Sequence, residues 1–94
     1  MKNVFLIVYS RRSTVMNYDL TKNSIPRLGE VLQLDDSVWV VRTDRDLAHV
    51  NDHMSMQGGA MDVMFITQLV PGGWTINTFA TNKAAAAVLA DWLA

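Results

Sequence analysis

Two long apolar runs and several shorter alternating ones divide this chain. Val4 to Tyr9 is an unbroken apolar run, rich in β-branched and aromatic side chains. A run so short reads as a strand buried on both faces. Met61 to Val70 is the second such run and reads as a central strand lying beside the first. Tyr18, Thr21, Ile25 and Leu28 recur at helical spacing and predict a helix over Tyr18 to Leu28, stopped by Gly29. Pro26 conflicts with that helix, because proline removes a backbone donor and clashes with the preceding turn. Either the helix kinks, or a separate short turn begins with Ser24 as its N-cap.

Glu30 to Leu34 and Ser37 to Thr43 are strand-like runs around Asp35-Asp36, the pattern of a hairpin. Thr43 followed by Asp46 resembles a capping box and predicts a helix from about Asp44 to Met56, burying Leu47, Val50 and Met54 and ended by Gly58-Gly59. Pro71-Gly72-Gly73 is a turn signal. Trp74 to Phe79 then returns as a strand at a sheet edge, and Trp74, Ile76 and Phe79 are its candidate contacts should a second copy pair there. Asn82 is placed to cap a C-terminal helix over 82–94, whose alanines favour helix and whose Val88, Leu89, Trp92 and Leu93 dock it on the sheet.

The order strand, helix, strand, strand, helix, strand defines the class as α+β. Two split strand–helix–strand units of this kind build a ferredoxin-like βαββαβ sandwich with helices on one face of the sheet, here with an extra C-terminal strand and helix. Ninety-four residues make a single domain, 1–94. Half of them are hydrophobic, enough for a compact core.

Eight basic and nine acidic residues give a net charge of -1, without the positive excess from which a dedicated nucleic-acid binder draws its affinity. The chain has no cysteine. That excludes disulfides, thiolate metal sites and cysteine nucleophiles, and it suits a reducing cytoplasm. The opening apolar stretch is too short for a signal peptide, and no run reaches the roughly 20 residues of a membrane span. The expectation is a cytoplasmic protein with no membrane partner.

Ser10, Arg11 and Arg12 follow the first strand, and Arg42 lies in the third. Guanidinium forks beside hydroxyls match an oxyanion, so these residues are the candidates for binding a phosphate or a partner, against the plainer reading of a solvated loop. His49 and His53 stand four apart on the second helix, a spacing that presents two imidazoles to one metal ion, although a solvated polar face explains them fully. Asp35 and Asp36 read as turn residues, Asp44 and Asp46 as helix N-terminal charge. Met54, Met56, Met61 and Met64 read as core fillers. Trp39, Trp74 and Trp92 have the chemistry of a base-stacking surface but few basic neighbours, so core packing is favoured.

The segments 4–9, Asn17-Tyr18, Ile25 through Gly29, 34–43 and 62–69 together resemble the SinR-like family of bacterial and phage sequences, which is itself similar to the CRISPR-associated Cas-two proteins. The resemblance implies a ferredoxin-like fold and a homodimer. In the Cas-two group an aspartate usually follows the tyrosine that ends strand one and is the proposed metal ligand for cutting nucleic acid. Ser10 stands there in this chain. A hydroxyl brings no formal charge to magnesium, so the resemblance does not carry nuclease activity across.

The leading expectation is therefore a non-catalytic homodimeric module that binds a protein or a nucleic acid and needs no cofactor. One alternative is a nuclease dependent on magnesium or manganese that recruits Asp19, Asp35 or Asp36 from elsewhere. Another is a small phage-type inhibitor of a host defence system.

Overall fold

The computed structural model describes residues 2–10, 24–56, 63–77 and 82–94. Four strands form one antiparallel sheet: β1 (Asn3–Ser10), β2 (Glu30–Asp35), β3 (Val38–Thr43) and β4 (Val63–Leu69). Their order across the sheet is β2-β3-β1-β4. Among the described residues two helices accompany them, α1 (Leu47–Ser55) and α2 (Lys83–Trp92), with a short 3-10 turn at Ile25–Leu28. The molecule is thus a small α+β protein whose four-stranded sheet is compatible with a ferredoxin-like fold.

β1 sits inside the sheet, paired with β3 on one side and β4 on the other. Its alternate side chains feed two separate cores, which is why its sequence is apolar without interruption. On the first face Phe5, Ile7 and Tyr9 join Trp39 and Val41 of β3, Val50 and Met54 of α1, and Ile25 and Leu28 of the 3-10 turn. On the second face Val4 and Val40 join Leu89 and Leu93, with Leu6, Leu32, Leu34, Leu69, Trp74, Ile76 and Trp92 packed around them. Full burial of each large apolar side chain is worth roughly 1.5–3 kcal/mol, so these two layers dominate the stability.

The 3-10 turn and α1 cover one side of the sheet together, as the βαββαβ pattern predicts, while the extra C-terminal helix α2 covers the other. Several expectations change here. β1 and β4 do lie side by side, with Phe65 opposite Val8, but β4 is an edge strand, not a central one. No strand is present over 74–77. Trp74 and Ile76 turn into the second core instead of forming a sheet edge, and Phe79 lies outside the described residues.

Of the predicted helix over Tyr18 to Leu28, the described part is the 3-10 turn with Pro26 near its start, preceded by Ser24 in helical conformation with no side-chain cap bond; Tyr18 and Thr21 lie outside the described residues. Proline fits a first turn because its missing N–H would have no intrahelical partner there.

α1 begins later than Asp44. Asp46 is itself the N-cap, its carboxylate accepting a hydrogen bond from the His49 backbone N–H at 2.9 Å. The Thr43 hydroxyl accepts from the Arg45 N–H at 3.2 Å and shapes the turn before it. Asp46→Ala is expected to lower the unfolding free energy by about 1 kcal/mol, whereas Asp46→Asn, which still offers an oxygen, should stay near wild type. Urea unfolding followed by circular dichroism reads both, and equal losses in the two variants would contradict the capping assignment. The capping expectation for Asn82 does not hold. Its side chain makes no cap bond to α2 and instead donates to the Asn77 side chain.

After β4 the chain reverses through Val70-Pro71-Gly72-Gly73. The Gly73 N–H bonds the Val70 carbonyl at 3.0 Å, and Gly72 holds φ +78°. Proline followed by a left-handed glycine is the signature of a type II turn. The turn sends the following segment across to the second face, where Trp74 docks.

Candidate functional site

The residues singled out for oxyanion binding do not converge. Ser10 is exposed at the end of β1, opposite Val63, and Arg11 and Arg12 lie outside the described residues. Arg42 is opposite Val4, so six residues of strand, about 20 Å, separate it from Ser10. Its guanidinium is already engaged. Nε bonds the Glu30 carboxylate at 2.8 Å, and the charge lies over the Trp92 ring, 5.3 Å from its centroid. Glu30 faces Arg42 because the β2–β3 register sets them opposite each other. The pair, capped by an indole, ties the start of β2 to the end of α2 across the second face.

The two histidines have different environments. His49 is exposed and supplies only its backbone N–H to the Asp46 cap. His53 is half-buried, with Nε2 3.0 Å from the Ser24 carbonyl oxygen. A carbonyl only accepts, so Nε2 carries the proton in this bond. His53 therefore fastens α1 to the start of the 3-10 turn, an attachment the helical spacing of the two histidines could not disclose. No group of three or more His, Asp, Glu or Cys residues among those described is placed to hold a metal.

Asp35 and Asp36 are exposed at the tip of the β2–β3 hairpin, and Asp19 lies outside the described residues. Asp44 is exposed, 3.7 Å from Nε of its neighbour Arg45. Trp39 is buried in the first core, while Trp74 and Trp92 pack in the second. Met54 and Met64 serve the first core as expected. Met56 does not, since it stands 84% exposed just past α1. Leu47, expected in the core, is 44% exposed on the side of α1 that faces β4.

What the structure assembles instead is an apolar edge. Among the described residues five large hydrophobic side chains are exposed, and four of them border β4: Val63 at 47%, Phe65 at 59%, Val70 at 52%, and Leu47 facing the strand from α1. Between α1 and β4 runs an open groove of about 680 Å³, lined by Leu47, Ala48, Asn51, Met64, Phe65 and Ile66. No strand among the described residues pairs with the outer side of β4, so its outward backbone N–H and C=O groups form a template for a further strand. Sequence reasoning placed β4 inside the sheet and missed this edge. Its one signal was the Thr67-Gln68 pair, polar residues unusual in a strand covered on all sides.

No helix among the described residues is long and apolar enough to cross a membrane. No protein-family model, curated protein or solved structure matches the chain.

Proposed function

We propose that this chain is a homodimeric, non-catalytic binding module of ferredoxin-like architecture whose working surface is the β4 edge and whose partners are proteins. The observation that carries the reading is the apolar border of β4, formed by Leu47, Val63, Phe65 and Val70 around an outward row of backbone donors and acceptors. Such edges attract another polypeptide strand, because main-chain hydrogen bonds and apolar burial act together.

The ferredoxin-like frame is supported by the strand order, in which β1 and β2 run parallel on either side of β3, and β3 and β4 run parallel on either side of β1. Kinship with the SinR-like and Cas-two-like proteins belongs to the same proposal, resting on that order and on the residue pattern along 4–69. Ser10, at the place of the group's aspartate, favours binding over cutting. A protein partner is favoured over a nucleic acid because Arg42 is held by Glu30 and Trp92, and the exposed surface along β4 is uncharged and mostly apolar. The absence of cysteine accords with a reducing compartment such as the cytoplasm.

Sedimentation velocity over a dilution series, with parallel incubation with RNA and DNA in magnesium or manganese, tests the reading. The expected result is a dimer that dissociates on dilution and leaves nucleic acid intact. A monomer at every concentration would overturn it, and so would chelator-sensitive cutting lost in Asp35→Asn or Asp36→Asn.

A further inference from the structure

We infer that a second copy of this chain adds its own β4 to β4, antiparallel, about a two-fold axis at Ile66, joining the two sheets into one of eight strands. The inference rests on the homodimer reading above and names its interface.

The sheet has two outer strands, and they differ in kind. β2 begins with Glu30, ends with Asp35 and carries a register shift between Gln33 and Asp35. Charge and a bulge on an edge strand are devices that discourage further pairing. β4 has neither. Its seven residues, Val-Met-Phe-Ile-Thr-Gln-Leu, include no charge, no proline and no glycine. Among the described residues one edge is guarded and the other is open, so pairing is confined to a single strand of each molecule. Pairing like with like then closes a dimer, whereas joining two different edges would propagate into a fibre.

The strand also fits its own image. Antiparallel pairing about Ile66 sets Val63 against Leu69, Met64 against Gln68 and Phe65 against Thr67 of the second copy, with Ile66 facing its equivalent. Side chains keep their faces in this register. Met64, Ile66 and Gln68 lie on the α1 face, while Val63, Phe65, Thr67 and Leu69 lie on the other, as their β1 partners show. No like charges meet, and the whole chain carries a net charge of only -1, so two copies approach without strong repulsion. The two Phe65 rings become diagonal neighbours on one face, within mutual reach across paired strands. On the other face, the side of α1 toward the groove offers Leu47, Ala48 and Asn51, uncharged and mostly small. That leaves room for Met64 and Ile66 of the second copy to cover Leu47. The exposed apolar groups on both sides of the edge are thus buried by one operation.

Three variants and sedimentation velocity decide the matter. Phe65→Lys places two like charges near the axis at a position exposed in the monomer. It is expected to keep the wild-type circular dichroism and to weaken dimerisation by about 100-fold or more, the effect of losing a central aromatic contact twice. Ile66→Cys in this cysteine-free chain should form a disulfide-linked dimer under mild oxidation, because facing residues of an antiparallel pair have Cα atoms about 4.5–5.5 Å apart. Gln33→Cys, on the guarded edge, should not. A dimer that survives Phe65→Lys and fails to cross-link through Ile66→Cys overturns this interface while leaving the homodimer reading intact, as does equal cross-linking through Gln33→Cys. A wild-type monomer at all concentrations overturns both. A monomer that gains a defined foreign strand at β4 also overturns it, in favour of peptide capture.

Discussion

Trp39→Ala is expected to lower the unfolding free energy by about 3–5 kcal/mol, the cost of emptying the space of a large buried aromatic. Trp39 is 2% exposed in β3, facing Ile7 of β1 on one side and Gln33 of β2 on the other, within the core sealed by α1 and the 3-10 turn. The strand is inside the sheet, so its backbone is fixed on both sides and cannot collapse into the void. A domain of this size has a total stability of about 5–15 kcal/mol, so the variant stands close to unfolding at room temperature. Thermal unfolding followed by circular dichroism should show a fall of well over 10 °C, at roughly 4–8 °C per kcal/mol. Trp92→Ala, at a half-buried position on the other face, should cost less. A shift below about 5 °C for Trp39→Ala would mean that the indole is not a core residue and would reopen the base-stacking reading.

Gly29→Ala is expected to cost about 3 kcal/mol although it adds a single methyl group. A Cβ at Gly29 would collide with the Arg42 carbonyl oxygen and lie 3.3 Å from the Thr43 Cα. The obstacle is backbone, not the end of a flexible side chain. It belongs to β3, which is held in place by β1 and β2 together. Either β2 shifts away from β3 or the 3-10 turn moves, and over-packing of this kind costs about 1–3 kcal/mol or more. Urea midpoints of wild type and Gly29→Ala give the difference directly. A loss of less than about 0.5 kcal/mol would show that β2 starts with more freedom than this close approach allows. The sequence offers a simpler role for Gly29, as the residue that stops a helix. The crowding against β3 is an additional demand that no local pattern expresses.

The candidate site divides along the same line. Local signals were readable: the Pro71-Gly72 turn and the apolar stripe of α2 that carries Leu89 and Leu93, although the start of α1 lies at the Asp46 cap and not at Thr43. Contacts between distant segments were not. His53 has the spacing of a metal ligand, yet it bonds the Ser24 carbonyl, which lies in another element. Arg42 has the chemistry of a phosphate ligand, yet the β2–β3 register gives it Glu30. Trp74 and Ile76 alternate with polar residues as a strand would. That alternation instead reflects a segment laid along the second core, burying every other side chain without a ladder of hydrogen bonds.

The sequence by itself determined the order and kind of nearly all the described elements, because a period of two or of 3.6 is a property of residues near one another in the chain. It also determined that β1 would be covered on both faces, since polar side chains there are few enough to demand it. Only the tertiary structure decided which strand stands at the edge. Val63–Leu69 is as apolar as Asn3–Ser10, and nothing within either segment says which will have two neighbours. That depends on β3 crossing to the far side of β1, a choice made by the packing of α1 and the hairpin together. The apolar border around Leu47 and Phe65 is a consequence of that choice. It exists because hydrophobic sequence was placed where the sheet ends.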